Sequence, residues 1–131
     1  MEDDVARALR SITPADLFCG ARAVVAAPIH PDERALYVGV VDKVRDQTAT
    51  GRLLAREVLR SMGVSPRPIL RKAGGAPDFG DDVCGSIAHD DEFAVCVAGR
   101  GVCVGVDVEP AEALPAEIVA DVCANDVERA L

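Results

Sequence analysis

Residues 83–108 have the sequence V-C-G-S-I-A-H-D-D-E-F-A-V-C-V-A-G-R-G-V-C-V-G-V-D-V, which contains three short apolar runs. The runs are Val83 to His89, Phe93 to Ala98 and Val102 to Val108. They are separated by D-D-E and G-R-G, and turns of this length and composition typically connect neighbouring antiparallel strands. The sequence therefore predicts an antiparallel meander, with Ser86 and His89 near the sheet that carries the third run.

Two carboxylates, Asp107 and Glu109, stand at the end of the third run. Side chains alternate across a strand, so residues two apart share a face with Cα atoms roughly 6–7 Å apart. Close like charges are costly unless a cation lies between them, and Mg²⁺ takes oxygen ligands from one or two carboxylates plus substrate phosphates. The pair therefore indicates half of a magnesium site. The alternative is a strand that runs into a solvated acidic turn closed by Pro110.

Helical patterns surround these strands. Residues 2–12 form an amphipathic pattern, and residues 32–62 form the longest pattern, as one or two helices closed by a C-cap at Gly63. We also expect a strand over residues 21–29, no central strand in the proline-rich residues 65–71, and further helix from residue 116. The prediction is one α+β domain, residues 1–131, with an antiparallel sheet of short strands packed against one long helix and shorter helices.

A stripe of arginines lies about 100° round the long helix from its predicted buried face. Its members are Arg45, Arg52, Arg56 and Arg60. Such a stripe is commonly a solvated face. However, like charges at i, i+4 destabilise a helix by a few tenths of a kcal/mol each, which an anionic ligand would offset.

The charge distribution is uneven. The net charge of −8 disfavours general nucleic-acid binding, yet residues 43–72 hold eight of the fourteen basic residues and two acids. Acids dominate from Asp78 onward. This arrangement suggests a polyanionic ligand held on one side of the domain and a metal on the other.

Cysteine usage and hydropathy indicate the compartment. The five cysteines are odd in number and widely spaced with no C-x-x-C pair, which disfavours a disulfide framework or a zinc site. No apolar run approaches the roughly 18 residues needed to span a membrane, and the start M-E-D-D is unlike a secretory signal. We expect a soluble cytoplasmic protein.

The ordered motifs resemble those of a known family. G-S-I-A-H at residues 85–89, followed by V-G-V-D-V-E-P at 104–110, resembles the paired signature of the 4′-phosphopantetheinyl transferases. G-A-P-D-F-G at residues 75–80 looks like the family's first motif, G-x-P-x-[WF]-P. The upstream helix is similar as well, in Lys43, Arg45, Gly51-Arg52, Ala55-Arg56 and Met62-Gly63. The likeness is to the two-lobed type that activates carrier proteins of polyketide, nonribosomal-peptide and siderophore synthesis.

The resemblance implies an activity and a set of site residues. Members move the phosphopantetheine arm of coenzyme A to a serine of an acyl or peptidyl carrier protein, in one lobe of a pseudo-twofold fold. By this resemblance Asp107 and Glu109 hold Mg²⁺ and, with His89, are the catalytic residues. The implied coenzyme A contacts are Ser86, His89, Arg45, Arg52, Arg56, Arg71 and Lys72.

The sequence also departs from the family pattern. The W-x-x-K-E motif, which supplies a further metal-binding Glu and a phosphate-binding Lys, is missing from these 131 residues. Ala88 stands where Ser or Thr is usual, and Gly80 replaces a Pro. Family members usually have a basic residue just before the first motif. It is replaced here, and Arg71 and Lys72 are the expected substitutes. These departures predict an N-terminal lobe that needs a second lobe in the same chain or in another.

Two other hypotheses remain from the sequence. The first is a non-catalytic module, a degenerate transferase lobe that binds coenzyme A or a carrier protein. The second is a structural domain whose acidic turns and arginine face are merely solvated. Mg²⁺-dependent coenzyme A binding separates the leading hypothesis from both.

Overall fold

A computed structural model describes residues 2–14, 16–101 and 105–106. Along the chain lie α1 (Glu2–Ile12), β1 (Phe18–Ala23), a 3₁₀ helix (Pro31–Tyr37), α2 (Asp42–Ser61), β2 (Leu70–Arg71), β3 (Pro77–Asp78), β4 (Val83–His89) and β5 (Phe93–Arg100). The predicted α+β architecture, an antiparallel sheet packed against one long helix, is confirmed. The predicted helix after residue 116 lies outside the described residues.

The main sheet has three antiparallel strands in the order β1-β5-β4. The predicted pairing of residues 83–89 with residues 93–98 is confirmed, with His89 opposite Ala94 and Val83 opposite Arg100. The meander prediction is wrong about the other neighbour of β5, because β1 occupies that edge. Of residues 102–108 the structure describes only Gly105 and Val106, outside any strand, and the Val106 N–H donates to Ser86 Oγ of β4 at 3.2 Å.

Strand β1 begins and ends earlier than the predicted residues 21–29. Its last pair joins Ala23 to Phe93, which is the first residue of β5. Residues after Ala23 therefore have no residue of β5 opposite them. Gly20, a residue that disfavours strands, lies within β1. A side chain there would bring its Cβ to 2.9 Å from Leu54 Cδ1, so the glycine allows α2 to approach the sheet closely.

The predicted helical region 32–62 is confirmed as two helices, the 3₁₀ helix and α2. Gly63 ends α2 with φ of 76°, in the left-handed region that favours glycine. The Gly63 N–H donates to the Arg60 carbonyl and the Val64 N–H to the Leu59 carbonyl, both at 3.0 Å. These two bonds form a Schellman motif, so the predicted C-cap at Gly63 is confirmed.

The core lies between α2 and the sheet. It consists chiefly of aliphatic side chains and one aromatic ring: Leu54, Ala55, Val58, Leu59, Met62, Ile69, Phe79, Val83, Ala94, Cys96 and Ala98. A Cβ on Gly51 of α2 would lie 2.8 Å from Ile87 Cγ2 of β4. The missing side chain therefore lets the helix lie directly against the end of β4 that carries His89.

Strands β2 and β3 form a separate two-stranded hairpin. The prediction that residues 65–71 form no central strand is confirmed, since β2 has two residues and pairs with β3 alone. The hairpin turn is closed by the Gly75 N–H, which donates to the Lys72 carbonyl at 2.8 Å. Among the helices of the described residues, none has the length and apolar character that crossing a membrane requires.

Candidate anion-binding cleft

A cleft of about 170 Å³ lies where α2, the β2–β3 hairpin and the end of β4 meet. Its walls come from three separate parts of the chain: Gln47, Thr48, Arg52, Arg71, Gly75, Pro77, Ile87 and His89. Three predicted ligand-binding residues, Arg52, Arg71 and His89, therefore share one cleft although they are far apart in sequence.

The walls of this cleft contain basic side chains and no acidic ones. Of the eight described residues that line it, two are arginines, one is a histidine and none carries a carboxylate. The whole chain has a net charge of −8, so an acid-free cleft runs against the average composition. Such a concave basic surface concentrates anions locally.

Arg52 is the most buried cation of the cleft, with 7% of its surface exposed. Its Nε donates to the Ile69 carbonyl at 2.9 Å, which holds the guanidinium at a fixed place beside β2. Burial lowers the pKa of Arg52 below its usual value, Tyr37 and Glu33 partly oppose this, and the nearby charges of Arg71 and Arg56 lower the pKa further by smaller amounts. An arginine remains charged under such shifts, so an anion in the cleft would offset part of the cost of burying the Arg52 charge.

Arg71 and Pro77 reach the cleft on the small hairpin, where they are paired residues. The hairpin is followed by Phe79, whose ring lies over Gly85 of β4, because a Cβ at Gly85 would be 2.6 Å from the ring carbons. Phe79 and Gly85 belong to different sequence motifs and contact each other in the core. This contact fixes the hairpin against β4.

His89 and Ser86 point to opposite sides of β4. Ile87 and His89 both line the cleft, and strand alternation puts Ser86 on the other face. There the Ser86 hydroxyl accepts the Val106 N–H. The two residues predicted to contact the ligand together are thus separated by the sheet, and His89 is the one in the cleft.

Three other predicted contact residues do not line the cleft. Arg45 pairs with the neighbouring Asp46 at 2.8 Å, and it lies seven residues before Arg52, on the same side of α2 and roughly 10 Å along it. Arg56 forms a buried ion pair with Glu33 at 2.5 Å. Lys72 is exposed in the hairpin turn. Arg45 and Arg56 are therefore each paired with a carboxylate.

The predicted metal ligands Asp107 and Glu109 lie outside the described residues, so the magnesium site stays a prediction. Within the described part of the chain, no group of three or more His, Cys, Asp or Glu side chains is close enough to hold a metal ion. The cleft residues themselves suit phosphate oxygens better than a cation.

Sequence patterns did not identify Glu33, which is 1% exposed and lies in the 3₁₀ helix. Its Oε2 accepts the Arg56 Nη1–H and the Ile69 backbone N–H, the latter at 2.7 Å. Nothing in P-D-E-R-A-L-Y separates this carboxylate from its exposed neighbour Asp32. Its partners lie 23 and 36 residues away, and local periodicity carries no information about them.

A larger cavity of about 410 Å³ lies at the other end of β4 and β5, beside Val83 and Arg100. Its charged wall residues are of both signs: Arg67, Arg100, Asp81 and Asp82. Volume alone would favour this cavity as a ligand site. The smaller cleft is the stronger candidate because its charges are of one sign and because residues of three motifs converge there.

Comparison with known proteins identifies the family. Residues 32–99, which are 68 of the 131 residues, match the model of the 4′-phosphopantetheinyl transferase N-terminal domain. The chain is 36% identical over 95 residues to the 4′-phosphopantetheinyl transferase Svp of Streptomyces mobaraensis, covering 70% of this chain and 39% of Svp. It is also 36% identical over 103 residues to the 4′-phosphopantetheinyl transferase PptT of Mycobacterium tuberculosis, covering 76% of this chain and 45% of PptT.

The matched region contains the long helix, the hairpin and β4, which together build the cleft from Gln47 to His89. The chain spans less than half the length of these two relatives. It belongs to the 4′-phosphopantetheinyl transferase family, and its matched region is the family's N-terminal domain.

Proposed function

We propose that this chain supplies one lobe for the Mg²⁺-dependent transfer of the 4′-phosphopantetheine arm of coenzyme A to a serine of an acyl or peptidyl carrier protein. Family membership supports the class of reaction. The observation that carries the proposal is the acid-free cleft that brings Arg52, Arg71 and His89 together. Its volume of about 170 Å³ suits a phosphate-bearing portion of coenzyme A rather than the whole molecule.

In the proposed reaction the serine hydroxyl gives up its proton and its oxygen bonds to the phosphorus that carries the pantetheine arm. The bond from that phosphorus to the bridging oxygen breaks, and adenosine 3′,5′-diphosphate leaves. Cations that contact the phosphate oxygens stabilise the charge that develops and hold the reacting atoms in line. Arg52 and Arg71 have the fixed planar donors that bind phosphate oxygens in pairs, and His89 adds a third donor.

The proposed metal ligands are Asp107 and Glu109. Two carboxylates are a suitable partial donor set for Mg²⁺, which completes its coordination with water and substrate phosphates. When bound, the ion neutralises phosphate charge. The proposed partners are a carrier protein and a second transferase lobe. The proposed compartment is the cytoplasm, in agreement with five widely spaced cysteines that form no disulfide pattern.

Binding of coenzyme A, measured by calorimetry with and without Mg²⁺, tests the site. We expect Arg52→Gln and His89→Ala each to weaken binding by about tenfold, the loss of one charge-assisted hydrogen bond. Asp107→Ala should abolish the effect of Mg²⁺. Arg60→Gln is the matched control, because Arg60 is an exposed arginine of the same helix and does not line the cleft.

If the affinity for coenzyme A is the same with and without Mg²⁺, the alternative of a non-catalytic module is favoured. An equal loss in Arg60→Gln would show that overall charge, not the cleft, governs binding. A transfer assay with a carrier protein then tests the second lobe. We expect little transfer by the 131-residue chain and recovery when a second lobe is added, and robust transfer by the chain alone would contradict that requirement.

A further inference from the structure

Glu33 links three elements around the cleft. It lies in the 3₁₀ helix, its Oε2 accepts Arg56 Nη1–H of α2 at 2.5 Å, and the same oxygen accepts the Ile69 N–H at 2.7 Å. Ile69 is fully buried and immediately precedes β2. One carboxylate oxygen therefore fixes the start of the hairpin against the long helix.

Ile69 passes this restraint to the cleft in two ways. Its carbonyl accepts Arg52 Nε–H at 2.9 Å, so both backbone polar groups of Ile69 are bonded, one to Glu33 and one to Arg52. Two residues further on, Arg71 projects from β2 into the same cleft. The positions of both cleft arginines depend on where the Ile69 peptide lies.

The surroundings of Glu33 are costly for stability alone. Glu33 Oε1 and the Tyr37 hydroxyl oxygen are both buried, and neither makes a hydrogen bond to another described residue. Buried polar atoms without partners destabilise a fold, and buried ion pairs are often replaceable by apolar side chains without loss of stability. The position of this costly charged network next to Arg52 points to a role in placing the cleft residues.

We propose that Glu33 is a positioning residue for the anion-binding cleft, acting through the Ile69 backbone on Arg52 and Arg71. This inference rests on the proposed function, because it takes the bound anion to be a phosphate of coenzyme A. The feature of Glu33 that matters is its acceptor oxygen for the Ile69 N–H. The negative charge serves to neutralise Arg56.

Two double variants separate the acceptor from the charge. Glu33→Gln/Arg56→Met and Glu33→Leu/Arg56→Met both lack the buried ion pair, so neither leaves an unpaired buried charge. The glutamine keeps an oxygen for the Ile69 N–H, and the leucine does not. Arg56→Met alone is the reference for affinity, and denaturant unfolding shows that each variant is folded.

Inorganic pyrophosphate and coenzyme A are titrated separately into the wild-type chain and each variant. We expect the glutamine double variant to bind both ligands as Arg56→Met does, and the leucine double variant to bind both about tenfold more weakly. In NMR spectra of ¹⁵N-arginine protein, the Arg52 Nε–H should exchange slowly with solvent in the glutamine variant and rapidly in the leucine variant.

Thr50→Val is the control for general destabilisation of α2. The Thr50 hydroxyl is buried and bonds both the N–H and the carbonyl of Val25, on a side of the helix away from the cleft. This variant should lose stability without a change in pyrophosphate affinity. A loss of affinity in Thr50→Val equal to that of the leucine variant would overturn the role of Glu33.

The remaining outcomes also decide the question. Equal affinity and equal Arg52 Nε–H exchange in the two double variants would refute positioning by Glu33. If the wild-type chain binds pyrophosphate and does not bind coenzyme A, the proposed function is refuted. The pyrophosphate affinities of the two double variants would still decide the role of Glu33. A wild-type chain that binds neither ligand would refute both.

Discussion

The two buried sides of helix α2 are built in opposite ways. Toward the sheet the helix presents apolar side chains such as Leu54 and Val58, and Gly51 allows the closest approach. Toward the 3₁₀ helix and the hairpin it presents Arg52 and Arg56, which are 7% and 9% exposed. Both sides are largely buried, but only the second buries charged groups, whose polar atoms are costly when they lack partners.

This difference separates stability from positioning within one helix. Apolar contacts are non-directional, so the sheet side tolerates small shifts of its side chains. Hydrogen bonds to Glu33 and Ile69 have preferred distances and angles, so they define where Arg52 lies. The sheet side therefore holds the helix in place, and the arginine side sets the geometry of the cleft.

The largest expected effect comes from breaking the buried ion pair on the arginine side. Arg56→Met leaves the Glu33 carboxylate buried without its cation, and we expect the free energy of unfolding to fall by about 4 kcal/mol. Glu33→Gln/Arg56→Met removes both charges and should recover most of that loss. Urea unfolding of both proteins measures the two values. A double variant no more stable than Arg56→Met would show that the pair stabilises the fold by itself.

A somewhat smaller effect is expected on the sheet side. Leu59 is fully buried, and Leu59→Ala removes its contacts and leaves a cavity, so the free energy of unfolding should fall by about 3 kcal/mol. The pyrophosphate affinity of the folded protein should stay unchanged, because Leu59 does not line the cleft. Calorimetry under strongly native conditions checks the affinity, and a clear loss would mean that the two sides of the helix are not independent.

The smallest effect concerns an exposed pair at the start of α2. Lys43 Nζ lies 2.9 Å from Asp91 Oδ1, and the Lys43 hydrogen bond and charge, together with Gln47, hold the pKa of Asp91 below its usual value. A lowered carboxyl pKa contributes stability above the usual pKa, and that contribution disappears as the pH falls through the lowered value. Since Asp91 is exposed, solvent screening keeps this contribution small.

NMR titration of the Asp91 carboxyl carbon tests this pair. In Lys43→Met the pKa should rise toward its usual value, whereas Lys72→Met, which removes an exposed lysine elsewhere, should leave it unchanged. If the pKa of Asp91 does not move in Lys43→Met, the ion pair is not formed in solution.

Local sequence signals predicted the parts of the fold that depend on neighbouring residues. The helical pattern over residues 32–62 and the glycine at residue 63 concern contacts within one helix, and both predictions are confirmed. Strand β1 was misplaced because Gly20 disfavours a strand by local propensity. Its role appears only when Leu54, 34 residues away, packs against it.

The candidate site shows the same division. Helical spacing placed Arg45, Arg52 and Arg56 on one side of α2, but spacing does not reveal the partner of each guanidinium. Arg52 faces the cleft, while Arg56 is paired with Glu33, whose burial depends on how the 3₁₀ helix packs. The carboxylates Asp107 and Glu109 remain a sequence-based prediction.

The contact between Phe79 and Gly85 has a consequence for how the family's sequences vary. Any residue larger than glycine at position 85 would place its Cβ 2.6 Å from the ring carbons of Phe79. Position 85 can therefore hold a side chain only if residue 79 is not aromatic. The two positions should therefore change together across an alignment of family members. A glycine in G-S-I-A-H is then a marker of packing against the preceding motif, and its presence in a sequence is no evidence of catalytic activity.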